Sequence, residues 1–238
     1  MVNIDPRYEI VRKTQIEIFR RSGIAPHDYE GIIELLSPQV IAEDLGLSYI
    51  VVEELTSSSS MFKTAGILDR RNKQIIVSNE FPVEQQRLTG MHEVVHWMLH
   101  EHIGRDVMHR DRPISIVPEQ HNIDYVEWEA THIACLSLMP EKMVKERFAV
   151  TFRLPYGQAL ELDEDAAFYL NREIEELRKM TLRQKSLLLV MAHSFERPFD
   201  PLHKFFKMSP TAMAIRLEEL ELIAPDRWKG TPRLRIVR

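Results

Sequence analysis

Apolar residues recur at helical spacing from Arg7 to Arg21, with Ile10, Val11 and Ile18 on one stripe, and this predicts an amphipathic helix. A shorter helix is expected over about 38–45, stopped at Gly46, where a left-handed cap suits glycine. Ser48 to Val52 is β-branched and aromatic and reads as a strand. Thr56 to Ser60 is polar without period, hence a loop. Gly66-Ile67-Leu68 and Gln74 to Val77 flank Asp69-Arg70-Arg71-Asn72, the pattern of a hairpin. A long helix is expected from Val83 to about Ile103, with Gly104 as its stop.

Residues 105–122 carry Pro, Arg, Asp and His without periodicity and read as a long loop, a kind of segment usually tied to function. Asp124 to Met139 is helical again and is halted by Pro140. Further helices are expected at about 141–149, 164–179, 182–194, 201–206 and 210–220, with a final strand at Arg233 to Val237. The fold class is therefore α+β. We expect an α+β body over 1–150 and a mostly helical region over 151–238, ending in a helix-turn-helix or winged-helix outline at about 182–238.

Composition narrows the classes. With 238 residues, 44% of them hydrophobic, the chain can bury a real core, and no apolar run is long enough to span a bilayer. The first residues lack the basic and apolar regions of a secretory leader, and a lone Cys135 suits a reducing compartment, so the expectation is cytoplasmic. Residues 1–180 hold 20 Lys+Arg against 30 Asp+Glu, and residues 181–238 hold 11 against 6. An acidic body with a basic end hints at two functional units.

Chemistry concentrates on the long helix. His92 and His96 lie four apart, so their rings stack on one face and can fill two corners of a zinc tetrahedron. Glu93 is offset by about 100° and can reach a water on the metal without ligating it, as a general base requires. Two residues compete for the third ligand. His102 has the spacing of a third histidine, but that arrangement needs a glycine where Leu99 stands, and a continuing helix rotates His102 by about 280° off the ligand face. Glu127 is preferred. It shares a helical face with Ala130, Thr131, Ala134 and Leu138, whose small residues allow close helix approach, whereas Glu129 points nearly the other way with His132, Ile133 and Leu136.

The blocks Arg87-Leu88-Thr89-Gly90-Met91-His92-Glu93-Val94-Val95-His96-Trp97-Met98-Leu99-His100, Glu127-Trp128-Glu129-Ala130 and Leu138-Met139-Pro140 resemble the ImmA/IrrE-type metallo-endopeptidase family. So does Phe205 to Met213 with Arg216-Leu217-Glu218-Glu219-Leu220, and the likeness covers roughly 35–150 and 200–223. The resemblance implies a gluzincin-like, zincin-type body with a small antiparallel sheet beside the active-site helix. It also implies Zn2+ held by His92, His96 and Glu127, Glu93 as base, and a helix-turn-helix repressor as the protein substrate. The chain departs from the family at Val95, where glycine is usual, and at Thr131, Ile133 and Ser137.

Other candidates surround this core. His100 continues the 92–96 row by one turn, as an outer partner of the site or as a helix-end histidine favoured by the dipole. His109, His121 and Tyr125 are candidates for stabilising the oxyanion. Cys135 reads as a buried filler. Strand 74–78, as an edge, could pair with an extended substrate. The rival reading is a non-catalytic regulator that binds a repressor or DNA through its C-terminal module. Glu218, Glu219 and Glu221 against a single Arg216 argue against direct DNA contact.

Overall fold

A computed structural model describes residues 6–55, 64–101, 107–110, 125–161, 164–192 and 200–223. It divides into two compact units: Met1–Pro140 with Phe206–Met208, and Glu141–Phe205 with Ser209–Arg238. The loop at 56–60, His102, Gly104, His121 and the strand expected at 233–237 lie outside the described residues.

The first unit opens with helix α1 (Pro6–Ser22), α2 (Tyr29–Leu35) and α3 (Pro38–Asp44). The side chain of Asp28 accepts the Gly31 N–H at 2.9 Å and starts α2, which the hydrophobic pattern does not reveal. Ser37 caps α3 ahead of Pro38, and Gly46 follows its end at φ +76°. Strands β1 (Ser48–Val52), β2 (Gly66–Asp69) and β3 (Gln74–Ser78) come next. The long helix α4 (Val83–Leu99), strand β4 (Val107–Arg110) and helix α5 (Tyr125–Leu138) complete the unit.

The sheet is mixed rather than antiparallel, in the order β1-β3-β2-β4. β2 and β3 form the expected antiparallel hairpin, and β4 joins β2 antiparallel, but β1 pairs with β3 in parallel. The reason is a skipped position. The chain leaves β1 and starts β2 one place away, running opposite, and the tight turn then folds β3 back into the gap between them. β3 is therefore internal, with Ile75 and Val77 fully buried, and not the edge expected of it. Among the described residues the edges are β1 and β4. β4 falls inside the segment read as loop, because Val-Met-His-Arg is too short to show alternation.

Helix α4 is buried on every side over ten residues, Arg87 to His96. It packs on β2 and β3, on α3 and on α5. Such enclosure needs small residues at the closest approaches. A Cβ built on Gly66 of β2 would stand 2.5 Å from Thr89 Cγ2, and one on Gly90 would stand 2.2 Å from the Tyr49 hydroxyl oxygen. Arg87 reaches back to the Ile33 carbonyl at 2.8 Å, and burial lowers its pKa to about 10. Gly90→Ala is expected to destabilise the protein by about 1–3 kcal/mol through overpacking, more than the helix gains from alanine. Tyr49→Phe in the same chain should restore part of that loss. Urea unfolding of the two single variants and the double variant measures the coupling, and a Gly90→Ala protein as stable as wild type would contradict this packing.

The second unit holds α6 (Glu141–Phe152), α7 (Glu164–Tyr169), α8 (Ile174–Lys179), α9 (Leu182–Met191), α10 (Leu202–Phe205) and α11 (Pro210–Glu219). The single helix expected over 164–179 is broken. Asn171 takes the left-handed conformation at φ 51°, which asparagine tolerates, and the chain restarts at Ile174. A reciprocal capping box of Thr181 and Gln184 opens α9, and Ser209 with Pro210 opens α11. Arg183 grips Glu218 through two bonds of 2.7 and 2.9 Å, joining α9 to α11. Among the described residues no helix is long and apolar enough to cross a membrane.

Candidate metal centre

Helix α4 supplies His92, Glu93 and His96, and α5 supplies Glu127. The two helices approach closely because the α5 face carries Ala130, Thr131 and Ala134, all buried. His92 and His96 are each 1% exposed, and Glu127 retains a 39% exposed side chain, so the cluster opens on its carboxylate side. Both Nε2 atoms turn to the same point. They lie 2.8 Å from each other and 3.2 Å each from one Glu127 oxygen, His92 from Oε2 and His96 from Oε1. Zinc–ligand bonds of about 2.0–2.1 Å in a tetrahedron set donors roughly 3.3 Å apart. The Nε2–Nε2 distance, and the distance from each nitrogen to the Glu127 oxygen it faces, stand within about half an ångström of those edges. Two nitrogen lone pairs and a carboxylate brought this close in a buried site suit a divalent cation between them.

The other ring nitrogens are held as well. The single hydroxyl proton of Thr131 goes to the Glu127 carbonyl at 2.9 Å, so its oxygen accepts from His92 Nδ1–H at 3.1 Å. That leaves the His92 Nε2 lone pair facing the cluster. His96 Nδ1 meets His100 Nδ1 at 2.9 Å, and His100 Nε2 meets Glu129 Oε2 at 2.9 Å. Burial pushes the Glu127 carboxyl up, but the His92 and His96 rings beside it outweigh that, and the net shift is well downward. Glu127 is thus poised as an anion.

Glu93 is 2% exposed. Its Oε1 lies 3.4 Å from where a Gly66 Cβ would stand, so the glycine of β2 leaves the room the carboxylate occupies. Arg70, in the hairpin turn, donates to the His96 carbonyl at 2.5 Å and lies 5.4 Å over the Trp97 ring.

The outer candidates fare differently. His100 is buried against His96, and α4 ends before it: the residue leaves helical geometry at φ −117°, ψ 32°, short of the end expected near Ile103. Tyr125 is 62% exposed at the start of α5, its ring 5.7 Å from that of Trp128, and no described contact ties it to the cluster. His109 lies on β4, paired with Ile67, and its side chain is outside the described residues, as is His121. Val95 is fully buried.

Glu129 is not among the three converging donors but has buried partners of its own. The face of α5 that seemed to point away from the site is covered by α1, whose Tyr8 and Gln15 donate to the Leu136 and Ser137 carbonyls. Under that cover Glu129 is 4% exposed and accepts hydrogen bonds from both Arg7 and His100. The local sequence carries no sign of a helix more than a hundred residues earlier packing there. Thr131 was visible, four residues after Glu127 on the same face, but its partner was not.

No curated protein and no solved structure matches the chain. A family model described as the peptidase M78 family, IrrE N-terminal-like domain, matches residues 33–218, a span that holds α4, α5 and every residue of the His92–His96–Glu127 cluster. With that match over most of its length, the chain belongs to the IrrE N-terminal-like family of M78 peptidases.

Proposed function

We propose that this protein is a zinc-dependent endopeptidase that hydrolyses a peptide bond in a regulatory protein, specifically a helix-turn-helix repressor. The carrying observation is the convergence of His92 Nε2, His96 Nε2 and the Glu127 carboxylate within hydrogen-bond distance of one another. In this reading the three residues hold zinc, which supplies the Lewis acidity that polarises a carbonyl and acidifies a water. Glu93 takes the proton of the attacking water and delivers it to the leaving amine. The outer edge of β4, with no strand partner among the described residues, offers an extended substrate a line of backbone hydrogen bonds.

The repressor substrate rests on the resemblance to ImmA/IrrE-type peptidases. In the same reading the catalytic body is 1–150, and 151–238 is a helical module that engages a protein partner, with its helix-turn-helix outline at about 182–238. The charges on α11 favour a protein partner over DNA: Arg216 is buried and bonded to Glu219, and Glu218 is bound to Arg183. A lone, buried Cys135 fits a cytoplasmic setting.

Zinc content and cleavage test the reading together. The purified chain, loaded with zinc and dialysed, should retain about one equivalent. Incubated with a helix-turn-helix protein encoded beside it, it should give a discrete cut that chelation abolishes. Absence of bound metal after loading would overturn the peptidase reading and favour stoichiometric binding of a regulator.

A further inference from the structure

We propose that His100 and Glu129 are positioning residues that set the tautomer and the aim of His96, with Arg7 holding the carboxylate in place. The inference builds on the metal site proposed above. His96 has two ring nitrogens, and only a lone pair on Nε2 can serve a cation; a proton there would point into the cluster, 2.8 Å from His92 Nε2. The choice is made at the far end of a chain of side chains. Glu129 is a carboxylate bonded to Arg7, so it accepts, and His100 must donate from Nε2. A neutral His100 then presents the lone pair of Nδ1, 2.9 Å from His96 Nδ1, which must carry the proton. His96 Nε2 is left bare. With His100 carrying a single ring proton, as the proposal requires, each step has one direction, because a carboxylate without a proton cannot donate.

Burial strengthens the device. His100 and Glu129 are 2% and 4% exposed, so water does not compete for their hydrogen bonds. His92 is served by a neutral hydroxyl and His96 by an anion at one remove, so the two ligands differ in basicity.

The test reads the tautomer directly. Two-bond 1H–15N spectra of the histidine rings are recorded on metal-free wild type, Glu129→Ala, Glu129→Gln and His100→Phe, and zinc affinity is measured by competition with a chelating dye. Wild type should show His96 protonated at Nδ1. Glu129→Ala and His100→Phe should lose that single tautomer and roughly 10–100-fold in zinc affinity, whereas Glu129→Gln, which can still accept from His100, should restore the tautomer and most of the affinity. A His96 still protonated at Nδ1 in His100→Phe, with zinc affinity within about threefold of wild type, overturns the proposal. Should Glu129→Ala fail to give a dispersed spectrum, His100→Phe and Glu129→Gln decide between these results. If wild type binds no zinc, the peptidase reading fails, while the ring spectra, which need no metal, still settle whether the relay exists.

Discussion

Glu93→Gln is expected to abolish peptide hydrolysis while leaving the metal site and the fold intact. The side chain is 2% exposed in a slot bounded by Gly66 of β2, and glutamine fills the same volume. Only the ability to take a proton is lost. General-base assistance contributes about 10²–10⁴-fold, so kcat should fall by that factor, roughly 3–5 kcal/mol of transition-state stabilisation. Because Glu93 adjoins His92 but is not among the three converging donors, zinc per chain should stay at the wild-type value. Thermal stability should hold or rise, since a buried carboxylate is replaced by a neutral group, the usual direction when a catalytic charge is removed. The comparison needs kcat on a cleavable substrate, metal content and a melting curve from the same preparation. Activity within tenfold of wild type, with metal present, would show that another group moves the proton and that the role given to Glu93 is wrong.

How much of this site could be read from residue order depends on how local each contact is. His92, Glu93 and His96 lie within one and a half turns of a helix, so their relation follows from helical geometry alone. Glu127 required one further inference, that a face of Ala130, Thr131 and Ala134 lets two helices close up, and these residues are indeed buried where α5 meets α4. The partner that α1 gives Glu129 was not legible, because that helix lies more than a hundred residues away in the chain. A helical wheel ranks faces by composition and does not say which one a distant helix covers. The sheet failed for a related reason. The hairpin of β2 and β3 is local and was legible, but the parallel pairing of β1 with β3 is set by where the chain re-enters after β1. The break at Asn171 shows the opposite limit, in which one left-handed residue interrupts a helical period that reads as continuous.

Chelation is expected to lower the melting temperature of wild type and to leave that of His96→Ala unchanged. In the proposed site the metal joins α4 to α5, with two donors from one helix and one from the other. A ligand bound only by the folded state adds RT ln(1 + [L]/Kd), about 2.7 kcal/mol at a hundredfold excess over Kd. For a domain of this size, with about 2–4 °C per kcal/mol, that corresponds to a shift of roughly 5–10 °C. Without metal the wild-type cluster retains two buried histidines against a carboxylate, groups that are costly to hold together with no cation between them. His96→Ala removes one donor, and zinc affinity should drop far more than for a change in an outer partner. It also strips His100 of its contact at Nδ1, so a local stability loss is expected even in the chelated protein. The chelator-dependent shift separates the two effects: it measures metal alone, because the packing loss is common to both curves. Glu127→Ala should behave in the same way with a smaller packing loss, since its side chain is 39% exposed. A wild-type curve insensitive to chelator, or a His96→Ala curve that shifts as wild type does, would remove metal from the place where α4 and α5 meet.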